Sequence, residues 1–195
     1  MVYLDEHVEN LNIEAALAEV SAQRREQALR FCHDLGRRLN LAAYLLLKEG
    51  LRKEYGITEN PVFEYSPEGK PSIAGHPDLY FNLSHSKNVA LCVISDRPVG
   101  ADVEVPRKIS GSLVAYTMSD AEKDWIYASE DEETAFLELW TRKEAVLKLT
   151  GKGIRHDLKR VLDDVGKYRV STIRTPNCIY SIAQHPAPAP PVSTN

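Results

Sequence analysis

The sequence is poor in cysteine and lacks the spacings that cysteine-based sites need. Its three cysteines, Cys32, Cys92 and Cys178, lie far apart, and no two of them form a CxxC pair. An odd number of widely spaced cysteines argues against a disulfide framework and against a cysteine zinc site. Reduced thiols are typical of cytosolic proteins, so we expect a cytoplasmic location.

Long apolar runs and an excess of positive charge are also missing. No apolar stretch reaches the ~20 residues that a membrane-spanning helix needs. The first ten residues, MVYLDEHVEN, carry acidic side chains and no apolar core, which does not fit a signal peptide. The net charge is -4 at pH 7, whereas broad nucleic-acid binding requires an electropositive surface. We therefore expect neither a membrane nor a nucleic acid as partner.

What the chain does contain is enough apolar sequence for a folded core. Its 195 residues, 43% of them hydrophobic, suffice for one domain or two small lobes in contact. Residues 12–30 and 37–54 are rich in helix formers, and the second stretch ends near Gly56. A stretch rich in proline and glycine follows and predicts short strands and loops. Residues 155–182 predict further strands, and the Pro- and Ala-rich tail 185–195 predicts disorder.

The middle of the chain predicts a hairpin followed by two helices. Residues 89–95 (VALCVIS) are typical of a buried strand, and 99–105 (VGADVEV) are predicted to return beside it after a tight DRP turn. Two S-x-x-E capping boxes, at 119–122 and 129–132, each predict the start of a helix. Gly151 is well placed to end the second of these helices.

Two carboxylates lie two residues apart on the predicted return strand. Because successive side chains of a strand alternate in direction, Asp102 and Glu104 share one face. Their Cα atoms are separated by roughly 6.6 Å along the strand, so both side chains can lean towards one ion. Mg²⁺ suits such a pair, since it takes one or two carboxylates together with substrate phosphates. The alternative is the solvated outer face of an antiparallel hairpin.

The segment WTRKEAVLK predicts a helix with charged residues on a partly apolar stripe. Trp140, Glu144 and Lys148 are four residues apart and therefore lie on one stripe, with Lys143 beside it. In one interpretation this is a surface helix with a Glu144–Lys148 ion pair, which stabilises by about 0.2–0.5 kcal/mol. In the other, Glu144 is a third oxygen ligand to the ion, and both lysines neutralise phosphate oxygens around it.

The motif NLSHS adds a hydroxyl and an imidazole upstream of the carboxylates. Ser84 and His85 can each donate a hydrogen bond to a phosphate oxygen. They do not resemble a hydrolase pair, because no G-x-S-x-G elbow surrounds Ser84. On its own the motif fits a structural and a phosphate-binding role equally. Lys70 in EGKP and Arg24, taken singly, are typical of solvated surface positions.

Four motifs occur in order between residues 68 and 153: EGKPSI, FNLSHSKNVALCV, VGADVE and WTRKEAVLKLTGKG. Each alone is a weak signal, but the ordered set closely resembles the 4'-phosphopantetheinyl transferases of the surfactin-synthetase-activating (Sfp) type. A weaker likeness extends back through RREQALRFCHDLGRRLNLAAYLLL, so the resemblance covers most of the chain.

The resemblance implies an enzyme of the holo-[acyl-carrier-protein] synthase type. Such an enzyme transfers the 4'-phosphopantetheine arm of coenzyme A to a serine of an apo acyl or peptidyl carrier protein. It uses Mg²⁺ and releases adenosine 3',5'-bisphosphate. The implied fold class is α+β, a pseudo-dimer of two similar lobes, each a small, mainly antiparallel sheet packed with helices. The lobes would be 1–98 and 99–184, with the disordered tail 185–195 after them. Coenzyme A would lie in the cleft between the lobes, and the protein is expected to be a monomer.

The resemblance also assigns catalytic and metal-binding roles. It implies that Asp102, Glu104 and Glu144 are the metal ligands and that Glu144 is the candidate base for the attacking serine. Lys148 would contact the pyrophosphate of coenzyme A, and Lys143 would support the site. Glu122 is assigned to its capping box and not to the metal set.

The remaining implied contacts are with the nucleotide part of coenzyme A. Ser84 and His85 would hold a phosphate, the 3'-phosphate in the first instance, with help from Arg24. Lys70 and Pro71 would lie beside the adenine nucleotide.

Carrier docking and two other functions stay open at this point. Carriers of this family are usually acidic, so five basic residues are candidates for docking: Arg37, Arg38, Lys48, Arg107 and Lys108. Fatty-acid, polyketide and peptide-synthetase carriers are all compatible with the sequence. The alternative functions are an Mg²⁺-dependent hydrolase of coenzyme A or a nucleotide, and a non-catalytic module that binds coenzyme A or a carrier.

Overall fold

The computed structural model describes residues 1–151, 158–164 and 166–187 and has the α+β class that the sequence predicts. Its six helices are α1 (Ile13–Glu19), α2 (Ala22–Leu29), α3 (Asp34–Tyr55), α4 (Gly111–Thr117), α5 (Asp120–Tyr127) and α6 (Glu132–Thr150). The eight strands of the described residues are β1 (Val2–Asp5), β2 (Phe63–Tyr65), β3 (Pro71–Ile73), β4 (Tyr80–Ser86), β5 (Val89–Ser95), β6 (Val99–Glu104), β7 (Arg169–Arg174) and β8 (Ile179–Gln184). They form two antiparallel three-stranded sheets and one β2–β3 pair.

The first half of the chain packs α3 against the sheet β1-β5-β4. Tyr44, Leu47 and Leu51 of the helix lie in one buried cluster with Phe81 and Ile94 of the strands. α3 begins three residues before the predicted stretch, and it ends at Gly56 in the left-handed conformation. The predicted helical stretch 12–30 is divided into α1 and α2, because the Ser21 hydroxyl accepts a hydrogen bond from the Arg24 amide and starts a new helix.

The second half packs α6 against the sheet β6-β8-β7. β7 and β8 confirm the strands predicted within 155–182, of which residues 155–157 and 165 lie outside the described residues. The predicted hairpin between residues 89–95 and 99–105 is wrong. β5 is the central strand of its sheet, with β1 and β4 on its two edges, so neither edge is free for β6. β6 pairs with β8 instead.

One of the two predicted capping boxes is confirmed. The Ser119 hydroxyl accepts from the Glu122 amide, and the Glu122 carboxylate accepts from the Ser119 amide at 2.7 Å. The box at residues 129–132 is wrong, because Asp131 caps α6 by accepting from the Thr134 amide. The Ser129 hydroxyl accepts from the Asp131 amide in the preceding turn.

The end of α6 and the tail complete the comparison with the predicted elements. Gly151 follows α6 with a φ of 70°, which confirms it as the residue that ends this helix. Of the tail predicted to be disordered, residues 188–195 lie outside the described residues. No helix in the described part of the chain combines the length and apolar character needed to cross a bilayer.

Gly100 lets β6 approach the backbone of α6. A Cβ atom placed on Gly100 would come within 3.0 Å of the Ala145 carbonyl oxygen and of the Leu149 backbone. Backbone atoms of a packed helix cannot move aside as a flexible side chain can. The glycine therefore sets how closely the strand with Asp102 and Glu104 lies against the helix with Glu144.

We expect Gly100→Ala to destabilise the protein by at least about 1–3 kcal/mol, the usual cost of overpacking a core. The measurement is chemical denaturation followed by circular dichroism. Gly111→Ala is the matched control, since a Cβ there meets no atom within 4 Å and its φ is not positive. Equal stability of the two variants would show that β6 can move away from α6 at little cost.

Candidate active site

A lysine, an aspartate and a serine from three elements meet where the two halves of the chain touch. The Lys148 Nζ of α6 donates to Asp102 Oδ1 of β6 at 2.7 Å and to Ser84 Oγ of β4 at 2.9 Å. The Ser84 hydroxyl in turn donates to Asp102 Oδ1 at 2.9 Å. Asp102 and Ser84 are buried, and Lys148 is partly exposed. The structure thus brings together one residue from each of three sequence motifs.

Glu104 extends the same group along β6. Its Oε2 accepts a hydrogen bond from the Ser86 hydroxyl at 2.6 Å, and its Oε1 lies 3.8 Å from the Arg107 guanidinium. Asp102 and Glu104 therefore lie on one side of the strand, as the alternation of side chains predicts. The interpretation of this pair as a solvated outer face does not hold for Asp102, which is 7% exposed.

Glu144 of α6 interacts electrostatically with both carboxylates of β6, Asp102 and Glu104. Burial raises the pKa of Glu144, and the charges of Asp102 and Glu104 raise it further, while Lys148 acts in the opposite direction. Such a set of three carboxylates and one lysine leaves an excess of negative charge. The Glu144 side chain consequently favours a cationic or hydrogen-bond-donating ligand.

Two buried carboxylate oxygens in this group have no hydrogen-bond partner among the described residues, Asp102 Oδ2 and Glu144 Oε1. Leaving such oxygens buried and unpaired costs free energy, so they suit a hard cation such as Mg²⁺. No three acidic, imidazole or thiol groups of the described residues already converge closely enough to hold a metal ion. The donor set fits Mg²⁺ in its chemistry, and the charge of Asp102 is balanced by Lys148 in this arrangement.

A cleft of about 260 Å³ opens beside the cluster. Its lining includes Glu144 and Lys148 of α6, Lys70 and Pro71 of the EGKP turn and β3, and Asn82 of β4. A wider depression of about 480 Å³ adjoins it and shares Lys70 and Pro71. The EGKP turn and α6 thus line one cleft, where both can contact one elongated ligand.

Lys70 joins the two halves of the chain at this cleft. Its Nζ donates to the carbonyl oxygens of Leu149 at 3.0 Å and Val99 at 3.3 Å. Burial lowers the pKa of Lys70. Leu149 belongs to the last turn of α6, whose carbonyl groups have no partner within the helix, so Lys70 also stabilises the end of that helix.

His85 lies next to Ser84 on β4, with its surface exposed to solvent. Surrounding protein atoms lower the pKa of His85 below 6.5, and the nearby charge of Lys148 lowers it further, while Asp102 acts in the opposite direction. A neutral imidazole has one donor and one acceptor nitrogen. His85 is therefore uncharged at pH 7 unless an anion binds next to it.

Arg24 is brought neither to the Asp102 cluster nor to the walls of the cleft. Its guanidinium lies 5.0 Å from the ring centre of Tyr44 and 4.9 Å from that of Phe63, and the residue is 7% exposed. Burial lowers its pKa, and the nearby Tyr65 and Tyr44 act in the opposite direction. Cation–π contacts hold this guanidinium in the first half of the chain.

Lys143, predicted to support the phosphate site, lies outside the cluster of Asp102, Lys148 and Ser84. The side chain is 0% exposed, and its Nζ donates to Glu122 Oε2 at 2.6 Å, to the Leu158 carbonyl at 2.7 Å and to the Thr117 carbonyl at 3.1 Å. It joins α4, α5 and α6 on the far side of the helix from Lys148. In this arrangement the Lys143 ammonium group is enclosed and does not line the cleft.

Known proteins give the family of this chain. A sequence model of the 4'-phosphopantetheinyl transferase superfamily matches residues 98–189. The chain is 30% identical to the 4'-phosphopantetheinyl transferase Sfp of Bacillus subtilis over 156 residues, 78% of this chain and 70% of that protein. It is 31% identical to the 4'-phosphopantetheinyl transferase psf-1 of Bacillus pumilus over 177 residues, 89% of this chain and 76% of that protein.

The chain belongs to the 4'-phosphopantetheinyl transferase superfamily. A further relative, the transferase HetI of Nostoc, is 35% identical over 146 residues, 70% of this chain and 62% of that protein. The family predicted from the four motifs is confirmed, and so is the prediction that the protein is a transferase.

Three residues of this phosphopantetheinyl transferase that shape the site did not emerge from sequence reasoning: Asn82, Ser86 and Gly100. The alternation N-x-S-x-S in β4 was a signal for the first two, because it places three polar side chains on one face of a strand. A glycine within a strand was a signal for the third, because it often marks a close backbone approach.

Proposed function

We propose that this transferase carries out its reaction in the cleft between β6, α6 and the EGKP turn. The observation that carries this proposal is the group formed by Asp102, Lys148 and Glu144 at the wall of that cleft. Coenzyme A, an elongated molecule with three phosphates, would extend from the group into the adjoining depression beside Lys70 and Pro71. The two sheets, each with one long helix, are proposed to be the two lobes of a pseudo-dimer.

The reaction breaks the phosphoanhydride bond of the coenzyme A pyrophosphate and forms a phosphoester bond to the carrier. The hydroxyl oxygen of a serine on an apo acyl or peptidyl carrier protein attacks the phosphorus atom that bears the pantetheine arm. A new P–O bond to the serine forms as the P–O bond to the adenosine 3',5'-bisphosphate breaks. The serine proton passes to a base, and the bisphosphate leaves with the electron pair of the broken bond.

Lys148 is proposed to stabilise the charge that develops on the pyrophosphate. In the structure its ammonium group is shared between Asp102 and Ser84 and is partly exposed, so it can turn towards a phosphate in the cleft. A fixed cation is most effective where negative charge increases during the reaction. Asp102 holds Lys148 at the cleft until the ligand binds.

Glu144 is proposed to accept the proton of the carrier serine. Its Oε1 atom is buried and has no hydrogen-bond partner among the described residues, and in the metal-free site burial and the charges of Asp102 and Glu104 raise its pKa. Asp102, Glu104 and Glu144 would also hold Mg²⁺. When bound, that ion supplies Lewis-acid stabilisation of the phosphate oxygens.

The carrier is proposed to reach the cleft from the side of Arg107. This guanidinium lies 3.8 Å from Glu104 and is about one-third exposed. Lys108 is exposed next to it. The other three candidates, Arg37, Arg38 and Lys48, do not line the cleft and contact Asp34, the Leu11 carbonyl and Glu19. A monomeric state and a cytoplasmic location remain proposals, the second supported by three unpaired cysteines.

Intact-mass spectrometry tests the proposal directly. Purified apo carrier proteins from fatty-acid, polyketide and peptide synthetases are incubated with this protein, coenzyme A and Mg²⁺, with and without EDTA. The expected result is a mass gain of one phosphopantetheine arm that EDTA abolishes. Release of phosphopantetheine without a carrier would indicate a hydrolase. Tight coenzyme A binding with no reaction on any carrier would indicate a binding module.

His85 gives a pH-dependent prediction for coenzyme A binding. The pKa of His85 is lowered in the free protein, and a phosphate beside the ring would raise it again. Binding should therefore take up a proton, and affinity should increase as the pH falls from 8 towards 6. Calorimetry in two buffers of different ionisation enthalpy measures this uptake. His85→Gln should abolish it, and equal uptake by both proteins would assign the proton to another group.

A further inference from the structure

β6 is an edge strand whose second edge faces β4, not solvent. In the order β6-β8-β7, β6 has a strand partner on one side only. The amides of Ala101 and Val103 point away from that partner, since each donates to a side chain of β4. An unpaired edge normally presents such groups to water or to another chain. Here each of the two amides finds a side chain of β4.

Three polar side chains of β4 form hydrogen bonds with successive positions of β6. Asn82 Oδ1 accepts from the Ala101 amide at 2.8 Å, and Ser84 Oγ accepts from the Val103 amide at 3.3 Å. Ser86 Oγ donates to Glu104 Oε2 at 2.6 Å. Asn82, Ser84 and Ser86 are two residues apart, so they lie on the same face of the strand. We call these three residues the β4 ladder.

The hydrogen-bonding capacity of the Ser84 hydroxyl is fully occupied in this structure. A hydroxyl has one proton to donate and two lone pairs to accept with. Ser84 donates to Asp102 Oδ1 and accepts from the Val103 amide and from Lys148 Nζ. No proton is left over for a phosphate in this arrangement. In this arrangement the hydroxyl fixes the carboxylate of Asp102.

We infer that the β4 ladder positions the two carboxylates of β6 for the reaction. Side chains of Asn82 and Ser84 set the register of β6 against the first half of the chain, and hydroxyls of Ser84 and Ser86 orient Asp102 and Glu104. The three are positioning residues. This inference rests on the proposed function, since it assumes that both carboxylates act in the cleft. Loss of such a supporting contact is expected to weaken metal affinity or activity about 10- to 100-fold.

The variants are Asn82→Ala, Ser84→Ala and Ser86→Ala. Ser112→Ala is the control, because Ser112 is exposed and its hydroxyl has one partner among the described residues, the Ser110 hydroxyl. Ser86→Thr keeps the hydroxyl and is expected to rescue Ser86→Ala.

Three readouts separate positioning from a general loss of structure. Amide hydrogen exchange of Ala101 and Val103 should speed up in Asn82→Ala and Ser84→Ala while exchange in β5 is unchanged. Affinity for Mn²⁺ alone, measured by electron paramagnetic resonance, should fall about 10- to 100-fold in Ser84→Ala and Ser86→Ala. Coenzyme A affinity in EDTA should stay within about twofold of wild type in Ser84→Ala and Ser86→Ala, because neither side chain lines the cleft.

Two results would overturn the inference. One is unchanged exchange and unchanged Mn²⁺ affinity in all three ladder variants. The other is a loss of coenzyme A affinity in EDTA by Ser84→Ala, which would make Ser84 a phosphate ligand. The wild-type transfer assay is run beside them. If wild type transfers no phosphopantetheine, the proposed function fails whatever the variants show, so the two failures are distinguishable.

Discussion

Glu144→Gln is expected to lower kcat for phosphopantetheine transfer by at least about 100-fold, the lower end of the usual contribution of a general base. Glutamine has nearly the same shape, but it cannot accept the serine proton and is a poor ligand for Mg²⁺. The rate is measured by intact-mass spectrometry of the carrier under single-turnover conditions. Coenzyme A binding in EDTA should not weaken, because the substitution removes a negative charge and no positive charge from the cleft.

The same variant is expected to be more stable than wild type at pH 7 in EDTA. Glu144 has a raised pKa in the folded protein, so the folded state binds more protons than the unfolded state above the ordinary pKa of 4.5. Wild-type stability is therefore lost as the pH rises from 4.5 through the raised pKa. Glutamine carries no charge and loses nothing, so the gap in thermal midpoint should close as the pH falls to 4.

Glu138→Gln is the matched control on the same helix. Glu138 is mostly buried and pairs with Arg174, outside the cleft. The control should keep its activity and lose a little stability, the reverse of the expectation for Glu144. If Glu144→Gln is instead both fully active and less stable than wild type, Glu144 is a structural residue and the proposed base is elsewhere.

Local signals predicted much of the fold. The Ser119–Glu122 capping box, Gly56 and Gly151 depend on contacts within a few residues, so the sequence displays them directly. The strand at 89–95 could be recognised as buried because every position in it is apolar or small. The stripe of Glu144 and Lys148 follows from the period of a helix, and the structure places both beside the cleft.

Partners distant in sequence could not be predicted in the same way. In the pairing of β6 with β8, Asp102 lies opposite Ser181. No local feature of residues 99–104 selects β8 over β5 as the partner strand. The short DRP turn predicts a hairpin, but both edges of β5 are occupied, one by β1 and the other by β4. Strand order depends on the pairing of all strands in the sheet, so the sequence of a single segment does not predict it.

The motif alone could not predict which of two lysines, Lys143 or Lys148, faces the cleft. Both lie in WTRKEAVLKL, and both carry a charge that suits phosphate oxygens. They are five residues apart, which is about 140° around a helix, so they point in very different directions. Lys148 reaches the cleft, whereas Lys143 is enclosed by Glu122 and backbone carbonyls. Only the packing of α6 decides which lysine meets a ligand.

Lys143→Gln is expected to destabilise the protein by about 3–5 kcal/mol, the usual cost of removing one partner of a buried ion pair. Glutamine is too short and uncharged, so it would leave the mostly buried Glu122 carboxylate without its cation and the Thr117 and Leu158 carbonyls without their donor. The measurement is the urea midpoint followed by circular dichroism. A second variant, Lys143→Gln with Glu122→Gln, should recover part of the loss because the unpaired charge is gone.

Lys148→Gln separates the two lysines by its effect on activity. It also leaves a buried carboxylate, that of Asp102, without its cation, so a loss of stability is expected here too. Transfer activity should fall sharply in Lys148→Gln, since its charge is the one that faces the cleft. A folded, stable Lys143→Gln protein with weakened coenzyme A binding would contradict this assignment. It would mean that Lys143 leaves its enclosure and reaches the phosphates, as the motif alone had indicated.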